Sequence, residues 1–143
     1  MYEKILVTLE ATPTDRAIID HVKALALIMH SRVVLLHVAD GWAARTYGPE
    51  AVSPEVTDDQ AYLAKVRMEF ESAGIPAEAD LAFGDPGKEI IKWIGRNGCD
   101  LIAMSTHGHG FFGDLFFGTT ARQVRHHVTV PVLLLRARKL RTS

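Results

Sequence analysis

The strongest constraint on this chain is a rhythm of short apolar runs. Ile5-Leu6-Val7-Thr8-Leu9, Val33-Val34-Leu35-Leu36-His37-Val38, Leu101-Ile102-Ala103-Met104 and Pro131-Val132-Leu133-Leu134-Leu135 are nearly continuous in hydrophobic side chains. A strand with one wet face alternates apolar and polar residues. A continuous run suits a strand covered on both faces, as in a parallel sheet. Between the runs, apolar residues recur at helical spacing: Ile18, Val22, Leu25 and Met29, then Leu63, Val66, Phe70 and Ala73, then Ile90, Ile91 and Ile94. Strand and helix therefore alternate along the chain. That order predicts an α/β domain, an open parallel sheet joined by right-handed crossovers.

Local chemistry punctuates the same segments. Thr12 reads as an N-cap, with Pro13 at the first helical position and Asp15 at the capping-box acid position. That helix is expected to run to about His30. A second helix is expected from Pro54 or Thr57, ended by Gly74. Ala77, Ala79, Leu81 and Phe83 alternate, which predicts a third strand over 77–83 with one more exposed face, as at a sheet edge. Asp85-Pro86 starts the next helix and Asn97-Gly98 closes it. Trp93 is expected to lie off its Ile90/Ile94 stripe. A short last helix is expected over about Thr119 to His127. Residues 40–53 lack periodicity and read as a long loop. Residues 137–143 read as a basic tail. The whole, 1–143, is read as one domain.

Composition narrows the class. The chain has 143 residues, 16 Lys+Arg against 17 Asp+Glu, and a net charge of -1. That balance disfavours a nucleic-acid coat or a polybasic membrane binder. No apolar stretch approaches the ~20 residues of a transmembrane helix. The one cysteine, Cys99, excludes an internal disulfide and a multi-cysteine zinc site. It is expected to behave as a small buried hydrophobe. With no signal-peptide pattern at the start, the expectation is a cytoplasmic protein.

Open parallel sheets bind ligands beyond the carboxyl ends of their strands. Attention therefore falls on Ser105-Thr106-His107-Gly108 and, nine residues on, Gly118-Thr119-Thr120. Glycines let backbone approach a ligand, and a helix start offers free N–H groups to phosphate. The segment is no Walker A loop, because the Gly-Lys-Ser/Thr step is missing. Nor is there a dinucleotide fingerprint after the first strand, where the turn reads Glu10-Ala11-Thr12. His107 and His109 are a possible metal pair without a third ligand, so they read as polar loop residues. His37 reads as a hydrogen-bonded strand residue, and His126-His127 as helix-end caps. Phe111, Phe112, Phe116 and Phe117 suit either a core cover or a partner surface. No catalytic triad or carboxylate pair can be assigned.

The chain resembles the universal stress protein family over essentially its whole length. The resemblance is carried by Ile5-Leu6-Val7 to Pro13, Leu35-Leu36-His37-Val38, Gly84-Asp85-Pro86, the 105–120 segment and Val130-Pro131-Val132-Leu133-Leu134. The family's nucleotide-binding branch carries G-x2-G-x9-G-(S/T). Here Gly108 and Gly118-Thr119 keep the last two parts, and Ser105 stands at the first glycine. The resemblance implies a Rossmann-like five-stranded sheet of order 3-2-1-4-5 with helices on both faces. It also implies a homodimer and an ATP or AMP site. Asp114 is a candidate Mg²⁺ ligand beside the phosphates of ATP, though it reads first as a solvated turn residue. Adenine contacts would fall on Thr8, Leu9, Glu10 (where Asp is usual) and Val38. Phosphate and ribose contacts would fall on Ser105, His107, Gly108, His109, Gly118, Thr119 and Thr120. The expected role is a stress-response regulator or sensor with at most slow ATP hydrolysis. The alternative is a nucleotide-free dimeric module whose loop contacts a protein partner. If the last strand is a sheet edge, Val130 to Leu135 would be left unpaired, and a second copy would cover it.

Overall fold

The computed structural model describes residues 1–39, 54–106 and 114–136, without the side chains of 54–56 and 114–118. The expected elements at 40–53 and 137–143, and the residues His107, Gly108 and His109, lie outside the described residues. Five strands form one parallel sheet: β1 Lys4–Leu9, β2 Arg32–Ala39, β3 Ala77–Phe83, β4 Leu101–Thr106 and β5 Val132–Arg136. Their order is β3-β2-β1-β4-β5. Four helices accompany them among the described residues: α1 Arg16–Met29, α2 Pro54–Ser72, α3 Pro86–Asn97 and α4 Asp114–His127.

Period-two alternation sends successive strand side chains to opposite faces. Ile5, Val7, Leu9, Val33, Leu35 and Leu101 pack with Ile18 and Val22 of α1 and with Leu63, Val66 and Phe70 of α2. Leu6, Val34, Leu36, Ile102 and Met104 pack with Ile90 and Trp93 of α3 and Ala121 and Val124 of α4. Helices thus cover both faces, which is why the runs are apolar throughout. Each fully buried aliphatic or Phe side chain contributes roughly 1.5–3 kcal/mol.

Several boundaries differ from expectation, each for a physical reason. The first helix opens with a 3-10 turn, Pro13–Asp15, before α1 begins. Thr12 makes no side-chain cap there. α1 then ends on His30 in the left-handed region, φ 55°. Asp85 does cap α3, its carboxylate accepting from Lys88 N at 3.1 Å. Trp93 belongs to the buried face of α3 rather than beside it, 9% exposed, and its Nε1 donates to Asp80 at 2.8 Å. The indole is long enough to reach the core from the flank of the stripe.

The last helix starts at Asp114, five residues before the expected Thr119. Gly118, expected just ahead of the helix, lies within it, and one helical glycine costs only ~1 kcal/mol. Packing of Ala121 and Val124 outweighs that. β4 continues through Ser105 and Thr106, which were expected in the loop. Both pair with β5, opposite Leu135 and Arg136. Strand pairing absorbs polar residues that their composition alone would assign to a loop.

Candidate functional site

In the order 3-2-1-4-5 the chain reverses direction of growth between β1 and β4. The crevice outside that switch point is where open α/β sheets take ligands. Thr8 and Leu9 end β1, Val38 lies near the end of β2, and Ser105 and Thr106 end β4. The fold therefore brings these residues to one rim. Thr120 is buried on α4 beside the same sheet face as Ala121, while Thr119 is exposed. Gly118 lies within α4, so phosphate contact there would come from the helix body. The free N–H groups of a helix start belong to residues nearer Asp114.

Two observations single out this rim. Among the described residues, the buried side-chain oxygens without any hydrogen-bond partner are Thr8 Oγ1 and Ser105 Oγ. Thr8 is 2% exposed and Ser105 1%. Buried hydroxyls are nearly always paired, and an orphan costs about 1–3 kcal/mol. Both orphans lie near the carboxyl ends of the two switch-point strands. Thr8 follows Leu6 onto one face and Ser105 follows Ala103 onto the other, so they flank the crevice from opposite sides.

The second observation is the backbone beyond β1. Ala11 adopts φ 63°, a left-handed conformation costly for a residue with a Cβ. Asp15 holds it. The Asp15 carboxylate accepts from Glu10 N at 3.0 Å and from Ala11 N at 2.9 Å. The sequence placed Asp15 in a capping box. The structure sends the carboxylate further back, because the 3-10 turn points it beneath the β1 exit. Tyr62 of α2 donates its hydroxyl to the same carboxylate at 2.7 Å. Burial pushes the Asp15 carboxyl up, against the pull of its N–H donors and Tyr62. Burial first, then the Asp15 charge, pushes the Tyr62 phenol up, so it stays a donor. The Glu10 carboxylate is turned back to accept from Thr14 Oγ1 at 3.2 Å.

His37 is the hydrogen-bonded strand residue that was expected, although its partners could not be foreseen. Its Nδ1 donates to Leu9 O at 2.8 Å, and its Nε2 meets Asp59 Oδ2 at 3.2 Å. His127 Nδ1 donates to Gln123 O at 2.8 Å, a helix-end cap as expected. Cys99 is half-buried against the core, and burial pushes its thiol up, away from reactivity. Tyr62 and Asp59 were missed in the sequence. Their signal was faint: two polar side chains three apart, beside the apolar stripe of α2. Among the described residues no three His, Cys, Asp or Glu side chains converge as a metal site. No described helix is long and apolar enough to cross a membrane.

The fold defines a doubly wound α/β protein whose parallel sheet has its switch point between β1 and β4. A family model for the universal stress protein family matches residues 1–136. The chain belongs to the universal stress protein family. A similar protein is Universal stress protein MJ0577 of Methanocaldococcus jannaschii, 27% identical over 95% of this chain and 96% of that one. The solved structure of MJ0577 superposes with a TM-score of 0.81 at 25% identity, covering 98% and 99% of the two chains. A universal stress protein from Archaeoglobus fulgidus, solved in complex with dAMP, shares the fold with a TM-score of 0.68. It is 16% identical, over 93% of this chain and 97% of that one.

Proposed function

We propose that this chain is an adenine-nucleotide-binding stress-response regulator or sensor, working in the cytoplasm as a homodimer. The observation that carries the reading is the pair of orphan hydroxyls, Thr8 Oγ1 and Ser105 Oγ, at the rim where such sheets take ligands. A polar ligand would offer them partners that the protein does not. Relatives point the same way: one universal stress protein has been solved in complex with cAMP and another with dAMP. ATP or AMP would lie along the ends of β1 and β4, with Thr8, Leu9, Glu10 and Val38 at the adenine. Ser105, His107, Gly108, His109, Gly118, Thr119 and Thr120 would meet ribose and phosphates. Mg²⁺ would accompany ATP and neutralise phosphate charge. The reading includes at most slow hydrolysis.

The homodimer would form through β5. That strand pairs with β4 alone among the described strands. Leu134 is 38% exposed and Val132, Leu133 and Leu135 are partly exposed. An apolar edge invites a second copy. Leu134→Lys should then shift sedimentation toward monomer, and an unchanged dimer would exclude this edge.

Thermal unfolding with and without ATP, AMP and Mg²⁺ tests the main reading. Ligand at about 100 times its Kd adds ~2.7 kcal/mol. No shift at millimolar nucleotide, with none co-purifying, refutes it. The second reading, a nucleotide-free interaction module, is favoured by one feature: a serine side chain at position 105 where the nucleotide-binding branch carries glycine. That module would give no thermal shift with any nucleotide yet keep its dimer.

A further inference from the structure

One peptide unit at the candidate site is held at both ends. The carbonyl of Leu9 and the N–H of Glu10 belong to the same peptide plane. His37 Nδ1 donates to that carbonyl at 2.8 Å, and Asp15 Oδ1 accepts from that N–H at 3.0 Å. Neither holder stands alone. Asp59 Oδ2 backs His37 at Nε2, 3.2 Å away, and Tyr62 donates to Asp15 at 2.7 Å. Both backing residues lie on α2, three positions apart, which places them on one helical face. A single turn of α2 thus grips a single peptide of the β1 exit through two separate relays.

The chemistry of the relays is asymmetric. A carbonyl oxygen can only accept, so His37 Nδ1 carries its proton. Its Nε2 faces Asp59 Oδ2 at 3.2 Å. This group is largely buried, with His37 and Asp59 side chains 11% and 12% exposed. On the other side, Asp15 is a buried acceptor with three donors: Glu10 N, Ala11 N and the Tyr62 hydroxyl. Core packing alone does not require this. Val66 and Phe70 already anchor α2 to the sheet. The relays add direction: they set the plane of the peptide from which Glu10 springs and support the left-handed Ala11.

We propose that Asp59 and Tyr62 are positioning residues for the nucleotide site, acting through His37 and Asp15 on the Leu9–Glu10 peptide. The proposal rests on the nucleotide-binding reading above. Coupling between two sites is reciprocal. Nucleotide at the β1 exit therefore tightens the grip of α2, and α2 sets the affinity for nucleotide. The site and the helix form one unit, although α2 places no side chain among the assigned contacts.

The test uses the full chain with ATP and Mg²⁺, measured by calorimetric titration, with amide hydrogen exchange as a second readout. Tyr62→Phe and Asp59→Ala should each weaken ATP about tenfold, the effect of one lost hydrogen bond. Asp59→Asn keeps an acceptor and should restore most of the affinity. Val66→Ala loosens the same helix without touching either relay, and should leave affinity within about twofold. In the free protein, Tyr62→Phe should speed exchange at Glu10 and Ala11. In wild type, ATP should slow exchange across 57–64. Should Asp59→Ala fail to fold, Tyr62→Phe against Val66→Ala decides the matter. Equal losses from Tyr62→Phe and Val66→Ala would show a purely structural role and overturn the proposal. So would wild-type affinity in Tyr62→Phe. Wild type that binds neither ATP nor AMP overturns the nucleotide reading itself, and the proposal with it.

Discussion

Thr8→Val should make the free protein more stable and its nucleotide response weaker. The Thr8 hydroxyl is 2% exposed and has no partner, while its neighbours on that face are Leu6, Val34, Leu36 and Met104. Valine keeps the branched shape and replaces the oxygen by a methyl group. Removing a buried, unpaired hydroxyl recovers about 1–2 kcal/mol of its desolvation cost. With a urea slope of roughly 1–3 kcal/mol/M for a small domain, the midpoint should rise by about 0.5–1 M at unchanged slope. The melting temperature should rise by roughly 3–6 °C. Ser105→Ala should act in the same direction but less, because deleting the oxygen leaves a small void unfilled. The two side chains lie on opposite faces of the sheet, so their effects should nearly add. Urea unfolding followed by circular dichroism supplies the stability; repeating it with saturating ATP supplies the response. The ATP-dependent gain should shrink in Thr8→Val. A midpoint equal to or below wild type would refute the orphan-hydroxyl argument. A higher midpoint with an undiminished ATP response would leave the hydroxyl orphaned but outside the site. Stability sacrificed at a binding rim is a common trade.

Glu69 ties α2 to α1 through Arg16 Nη1 at 2.7 Å, Arg16 Nη2 at 2.9 Å and Lys23 Nζ at 3.0 Å. The Arg16 hydrogen bonds first, and Lys23 with them, draw its carboxyl from 4.5 down to about 2 against the opposing effect of burial. A depressed acid stabilises the fold fully above pH 4.5, and that contribution should be lost as pH falls toward 2. The pair is partly solvated, so Glu69→Gln should cost only about 1 kcal/mol at pH 7, less at high salt. Equal urea midpoints for variant and wild type at pH 7 would contradict this. Phe70→Ala empties the largest fully buried position among the described residues and should cost about 3–5 kcal/mol. A loss under ~1 kcal/mol in the same unfolding assay would mean that α2 does not pack as described.

Local patterning carried far here. Apolar runs at residues 5–9, 33–38 and 101–104 located three central strands, because burial on both faces leaves no room for polar alternation. Asp85-Pro86 located a helix start, because a carboxylate cap and a fixed φ act over a single turn. The alternating Ala77 to Phe83 marked an edge strand, since an edge is less enclosed. The order 3-2-1-4-5 came with the family resemblance and not from any periodicity. Strand order depends on which strands pair, and no local signal encodes that.

What resisted reading were polar residues whose partners are distant in sequence. Ser105 and Thr106 looked like loop and became strand, because pairing with β5 supplies their backbone partners. Gly118 looked like the residue just before a helix start and became part of the helix, because packing further along α4 offsets its cost. Asp15 looked like a local cap and became a buried acceptor for Tyr62, 47 positions away. His37 was legible as a packed histidine, but its link to Asp59 requires α2 to be laid across the sheet.

The sequence by itself determined the alternation of strand and helix, the burial of the central strands on both faces and the family resemblance. These follow from forces that act within a turn or a strand: periodic burial, capping and backbone freedom. Only the tertiary structure decided that two hydroxyls at the switch point lack partners and that one turn of α2 grips the Leu9–Glu10 peptide. Hydrogen bonds between distant segments are set by how the layers dock. Docking is driven by apolar area that carries no record of which polar atoms it will leave facing each other.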